Sequence, residues 1–427
     1  METMRSYGKR TFASLKIRNY RLYFIGQAIS LCGTWMQIIA QSWLVLKITG
    51  SGASLGFVIA LQFLPILLLG PWAGVVIDRM PKRKLLYCTQ TAAGFLALML
   101  GVLVVTGLVQ LWMVEVFALC LGVVNTFDNP TRQTFVQEMV SKEKLANAVS
   151  LNSTQVNLAR AVGPAIAGIL IATIGIGFCF LLNAFSYIAV LTALVMMREN
   201  ELHATPPAPK AKGQMREGFR YVRSSPILRN TLLMMALVGT FTYEFNVILP
   251  LFARFTFHGG ARTYAALNTA IGIGSIVGAL ISANRKKMSP RELVNAAFYF
   301  GAAMFIAALA PNIVLAMGAM VLVGLFSINF LSLSNVTLQL GSASEMRGRV
   351  MALWSVAFLG STPIGGPIIG WIGEHMSPRW GLATGAIAAL AAACLGIWAL
   401  KKGNSQTIST EVEVEAETEM EEDVRIR

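Results

Sequence analysis

The sequence predicts an all-α membrane protein of twelve transmembrane helices, arranged as two parallel six-helix repeats. Three observations lead there. Only 13% of the 427 residues are charged and 55% are hydrophobic, whereas a water-soluble domain carries about 25% charged residues to cover its surface. Twelve apolar stretches of about 17–26 residues are each long enough to cross a bilayer. Motifs of the first half recur in the second about 202 residues later.

In chain order the spans cover residues 21–46, 53–76, 85–106, 111–129, 149–172 and 177–197, then 230–253, 263–283, 292–310, 313–335, 349–373 and 380–400. All are expected to be helices, because an open sheet cannot satisfy its backbone polar groups in lipid. Of the 35 Lys and Arg, 30 fall in the N-terminus, alternate loops, the central loop and the tail. Four (Lys47, Arg254, Arg262 and Arg379) fall on the other side, and Arg160 lies within a span. This asymmetry predicts that both termini are cytoplasmic. It also accounts for the net charge of +14 without any nucleic acid partner.

The longest hydrophilic stretch between spans, residues 198–229, carries Pro206, Pro207 and Pro209 and divides the chain. The organisation expected is an N-terminal six-helix half (1–200), a cytoplasmic linker (201–228), a C-terminal six-helix half (229–400) and a disordered acidic cytoplasmic tail (401–427). Five cysteines sit in apolar runs without metal-ligand spacing, the three histidines are isolated, and no P-loop occurs. No metal, cofactor or enzymatic activity is therefore expected.

The halves repeat in detail. Gly163-Pro164 followed by Gly168 in span 5 matches Gly365-Gly366-Pro367 followed by Gly370 in span 11. Asn147 and Leu151 align with Arg349 and Leu353 at the same offset. Gly74, Asp78-Arg79 and Lys82-Arg83-Lys84 after span 2 match Gly278 and Asn284-Arg285-Lys286-Lys287 after span 8. Two halves in one orientation are a plan of secondary transporters.

At these residues the chain resembles the major facilitator superfamily. Gly74-Val-Val-Ile-Asp78-Arg79-Met-Pro-Lys82-Arg83-Lys84 is similar to that family's motif between helices 2 and 3, with the basic cluster beginning one place early and the acid missing from the Gly278 copy. Phe127-Asp128-Asn129-Pro130-Thr131-Arg132-Gln133 and Ala159-Arg160-Ala161-Val162-Gly163-Pro164 are similar to the branch containing the enterobactin exporter and macrolide efflux permeases. The resemblance implies alternating access, a bacterial cytoplasmic (inner) membrane location, a small-molecule substrate, and a cytoplasmic gate at Gly74, Asp78, Arg79 and Arg83. Asp128 and Arg132 lie at the same depth, and a second gate cluster is expected there. A monomer in the lipid bilayer is expected.

Polar stripes on single helix faces mark candidate cavity residues. Span 1 carries Gln27, Ser30, Thr34, Gln37 and Gln41; span 4 ends in Asn125, Asp128, Asn129 and Arg132. Span 5 has Ser150, Ser153, Asn157, Arg160 and Pro164; span 7 has Thr240, Tyr243 and Glu244; span 10 has Asn329, Ser332, Asn335 and Gln339. Spans 3, 6, 9 and 12 show no such stripe at mid-depth. Polar groups are costly in lipid, so these stripes are expected to face a cavity or a neighbouring helix. The resemblance independently implies that helices 1, 4, 7 and 10 line the cavity. The substrate residues expected are Gln27, Thr34, Gln37, Gln41, Asn157, Thr240, Tyr243, Asn329 and Ser332.

Glu244 and Arg160 are the ionisable residues deepest in the spans. A charge at a helix centre costs roughly 2.5–3.5 kcal/mol on insertion scales, which points to a partner or a function. Glu244 is the first candidate for proton coupling, with Asp128 and Arg160 beside it. Gly163-Pro164 and Gly366-Pro367 are expected to bend or thin helices 5 and 11. The function that follows is proton-coupled export of a small amphipathic compound, drug-like or siderophore-like. A substrate-importing symporter shares the architecture, and a non-transporting sensor would not need the aligned stripes.

Overall fold

A computed structural model describes residues 13–203, 214–283 and 290–401. The first twelve residues, part of the linker, the 284–289 basic loop and the acidic tail lie outside that description. Among the described residues every regular element is helical. Twelve of the described helices are long and apolar enough to cross a membrane.

The first six spans are Arg18–Thr49, Gly52–Arg79, Lys82–Val105, Leu111–Met139, Lys142–Thr173 and Ile176–Met196. Apolarity finds only the part of a helix that meets lipid. Spans 4 and 5 therefore continue well past their expected basic-side ends, and only Val140 and Ser141 separate them. Span 7 is interrupted: Pro226–Phe241, a non-helical Thr242-Tyr243-Glu244, Phe245–Leu251, then a π-helical turn Phe252–Thr256. Spans 8, 9 and 10 are Ala261–Ala283, Pro290–Leu309 and Ile313–Leu340. Span 11 is broken between Ser344–Phe358 and Thr362–His375, and span 12 runs Pro378–Lys401.

Part of the linker is also helical. Gln214–Ser224 rests on the basic end of span 11, where Glu217 pairs with Arg349 at 2.8 Å and the Ala343 N–H donates to Tyr221 Oη at 3.1 Å.

The repeat seen in the sequence is expressed in the packing. Span 2 lies along span 11, and span 5 along span 8. Gly163 leaves room for span 1, where a Cβ would meet the Cys32 carbonyl; its counterpart Gly365 leaves room for the Thr240 carbonyl of span 7. Gly168 faces Ala265 of span 8, and its counterpart Gly370 faces Gly52 of span 2. Asn147 and Arg349 also do matching work. Asn147 Oδ1 accepts from the Ser14 N–H (3.0 Å) and hydroxyl (2.8 Å), holding the segment before span 1. Arg349 holds the helix before span 7.

The helix interruptions are not where the prolines stand. Span 5 stays helical through Pro164, and span 11 through Pro367. The break in span 11 falls at 359–361, before Thr362-Pro363, where the proline sits in the first helical turn and its missing N–H costs nothing. What Gly366 supplies is closeness to Gly56 of span 2.

Among the described residues, three hydrogen bonds join the halves at the end opposite the basic loops. Glu374 Oε2 accepts from the Ser51 hydroxyl at 2.7 Å and from the Ala53 N–H at 2.9 Å. Arg254 donates to the Leu46 carbonyl at 2.7 Å.

Candidate functional site

Two adjoining chambers open in the middle of the molecule and share Trp35, Phe63 and Leu359 as walls. The first, about 310 Å³, belongs almost wholly to the N-terminal half. Span 1 turns Gln27, Thr34, Gln37 and Gln41 into it, and span 4 adds Asn125, Asn129 and Arg132. The helical spacing of 3 and 4 in span 1 places these side chains on one face, as expected.

Span 6 contributes too, which corrects the expectation that it carries no polar stripe. Asn183 and Tyr187 line the chamber, and Asn183 donates to Gln37 Oε1 at 2.6 Å. Gly33 of span 1 has no side chain to collide with Asn183 and Ser186, so the two helices can approach. Span 2 adds Gln62, which accepts from Gln41 at 3.3 Å. The spacing of Asn183, Ser186 and Tyr187 is itself a helical stripe, a signal present in the sequence.

Asp128 and Arg132 close the basic end of this chamber. Asp128 is 3% exposed. Its Oδ1 accepts from Thr89 and Gln90, each at 2.7 Å, and its Oδ2 pairs with Arg132 at 2.7 Å. Arg132 also donates to Gln27 (3.1 Å) and Asn129 (2.6 Å). The i,i+4 spacing on span 4 sets up the pair, and spans 1 and 3 complete it. This carboxylate is fully engaged.

The second chamber, about 300 Å³, lies between the halves. Arg160 of span 5 faces it from one half; Tyr243, Glu244 and Asn246 of span 7 and Thr362 of span 11 face it from the other. Glu244 is 3% exposed and stands at the break in span 7, as the N-cap residue of Phe245–Leu251, rather than within a continuous helix. No proline stands at that break. Thr242 is tied to the Gly385 carbonyl of span 12 (2.8 Å) and Tyr243 to the Ser327 carbonyl of span 10 (2.7 Å). Non-helical backbone at membrane depth is tolerated only where protein or a cavity surrounds it. The Glu244 carboxyl sits beside Thr362, at the start of the second half-helix of span 11, and its Oε1 has no hydrogen-bond partner.

Arg160 and Glu244 share a chamber but form no ion pair. The Arg160 guanidinium instead lies over the Trp35 ring, 4.9 Å from its centroid, and its Nε has no hydrogen-bond partner.

Four expected cavity residues stand elsewhere. Asn157 donates to the Ser153 carbonyl of its own helix (2.9 Å), and Thr240 to the Ala236 carbonyl (2.6 Å). Asn329 accepts from Ser282 at 2.5 Å, joining span 10 to span 8. Neither it nor Ser332 lines these chambers; span 10 presents Ser327 and Leu331 instead. Of the two surroundings expected for such a stripe, the polar face of span 10 meets a neighbouring helix at Asn329.

The gate residues expected after span 2 have separate surroundings. Arg83 grips the end of span 6, donating to the Leu194 carbonyl at 2.7 and 2.9 Å and pairing with Glu199. Arg79 is exposed at the end of span 2, and Gly74 faces open space. The Asp78 backbone lies in the last turn of span 2; its side chain lies outside the described part of the structure.

Comparison with known proteins agrees with this architecture. The chain is similar to the staphyloferrin A transporter of Staphylococcus aureus, with 26% identity over 78% of this chain and 84% of that protein. It is similar to the enterobactin exporter EntS of Citrobacter koseri, with 25% identity over 84% of this chain and 86% of that protein. Its fold matches the crystal structure of the nucleoside transporter NupG, with a TM-score of 0.70, 12% identity, and coverage of 91% of this chain and 99% of that one. The family model described as transmembrane secretion effector matches residues 9–425. Two six-helix halves around a central polar cavity, and a family match over almost the entire chain, place it: the protein belongs to the transmembrane secretion effector family of the major facilitator superfamily and is a multi-pass membrane transporter.

Proposed function

We propose that this protein exports a small amphipathic compound, siderophore-like or drug-like, across the bacterial inner membrane in exchange for protons. It acts as a monomer embedded in lipid, without cofactor or catalysis, and its basic end faces the cytoplasm. The observation that carries the coupling is Glu244: a carboxyl 3% exposed, with an unpartnered oxygen, at a helix break between the two halves. A carboxyl whose contact with water changes as the halves rock can bind a proton on one side and release it on the other. Asp128 already has three partners and is assigned to holding the basic end of the first chamber. Export as the direction rests on likeness to the enterobactin exporter. The hydrogen bonds at the end opposite the basic loops would make this the state closed to the outside.

Inside-out vesicles test the proposal. With the interior acidified, an exporter accumulates substrate and draws protons out as it does so. Siderophores, macrolides and lipophilic cations form the screen. Uptake driven only by the opposite gradient would assign an importing symporter instead.

A further inference from the structure

We infer that the chamber between the halves selects ligands bearing an anionic group, which Arg160 holds by the edge of its guanidinium while an aromatic body fills the space beside it. The inference rests on that chamber being the transport site, and it adds the charge class of the substrate.

Arg160 carries the argument. It projects from a membrane span, where a lone cation is costly and marks a pathway or a partner. The residues around it give no partner. It makes no ion pair or hydrogen bond among the described residues, and its buried Nε donates to nothing. Glu244, across the same chamber, is not within ion-pair distance, and Asp128, the other buried acid of the cavity, is committed to Arg132.

The contact with Trp35 says how a ligand would be held. The guanidinium carbon lies over the indole ring, 4.9 Å from its centroid, so one side of the cation is covered. The N–H groups point outward from the edge of the plane, and that fork matches the two oxygens of a carboxylate or phosphate. The remaining walls suit an aromatic body. Phe63, Tyr243, Phe245 and Phe358 line the chamber, with Tyr243 and Phe358 edge to face at 5.0 Å. Tyr243 spends its hydroxyl on Ser327, so it offers the ligand a ring and not a donor.

Equilibrium dialysis of the full chain in lipid nanodiscs, without a pH gradient, tests this. The probes are benzoic, naphthoic and anthracenecarboxylic acids, each with its methyl ester and the matching aromatic amine. Empty nanodiscs supply the lipid background. For at least one scaffold the acid is expected to bind about tenfold or more tightly than its ester. Arg160→Gln should bring that ratio to about one by weakening the acid alone, and Arg160→Lys should keep part of the preference. Binding is read here without a pH gradient and coupling is read in vesicles with one, so loss of proton coupling and loss of anion selection are separate results. Should Arg160→Gln fail to fold, the wild-type ratio and Arg160→Lys decide. Equal binding of acid and ester in every pair, tighter binding of the amines, or an undiminished ratio in folded Arg160→Gln would overturn the inference.

Discussion

Glu244 and Asp128 are both carboxyls at 3% exposure, yet their surroundings assign them different work. Asp128 has Thr89, Gln90 and Arg132 around it. Removing it would leave Arg132 buried without its counter-charge, so Asp128→Ala should lower stability by about 3–5 kcal/mol. Chemical unfolding in detergent should show that loss, and Asp128→Ala combined with Arg132→Ala should recover part of it. Glu244 has an oxygen with no partner and no ion pair to lose. Glu244→Gln should therefore fold with a melting temperature near wild type and retain substrate binding. Uphill, pH-driven transport in vesicles should fall at least tenfold, while downhill exchange survives. Undiminished accumulation against a gradient would take the coupling role away from Glu244.

At the scale of elements, glycines set how close the halves can come. A Cβ at Gly370 would collide with the Gly52 carbonyl, and one at Gly272 would meet the Ala161 backbone at 2.6 Å. Small residues at such contacts let helix backbones touch in lipid, where no hydrophobic force drives them together. Gly370→Leu should force spans 2 and 11 apart, costing about 1–3 kcal/mol. A lower melting temperature and slower transport are the expected readouts. Gly74, with open space around it, should tolerate Ala in a melting assay.

Across the whole molecule, the contacts between Glu374 and the start of span 2, and between Arg254 and the end of span 1, tie the halves at the end away from the basic loops. Glu374→Gln removes the charge from two of these bonds. Labelling of an introduced Gln41→Cys by an impermeant thiol reagent added outside should then accelerate several-fold over the parent, once the native cysteines are replaced. An unchanged rate would remove Glu374 from the outer closure. Topology is tested with the same chemistry: a cysteine at 259 should label in intact cells and one at 210 should not.

The class, the twelve spans, the repeat and half of the cavity could be read from the residues alone. Those features depend on local chemistry: apolar length against bilayer thickness, charge against side, and polar residues spaced 3 and 4 apart. The stripe Gln27, Thr34, Gln37, Gln41 was legible because one helix face reports its own surroundings. Tertiary structure decided the rest. Whether a polar side chain faces a cavity, as Gln37 does, or a neighbouring helix, as Asn329 does with Ser282, depends on what packs against it. The break at Tyr243-Glu244 has no proline to announce it; its hydroxyl anchors lie on spans 10 and 12, residues 84 and 143 positions away in the chain. Pro164 and Pro367, which do announce a bend, sit within continuous helices. That Arg160 and Glu244 share a chamber without pairing is likewise a matter of distance between two halves, which no spacing along the chain encodes.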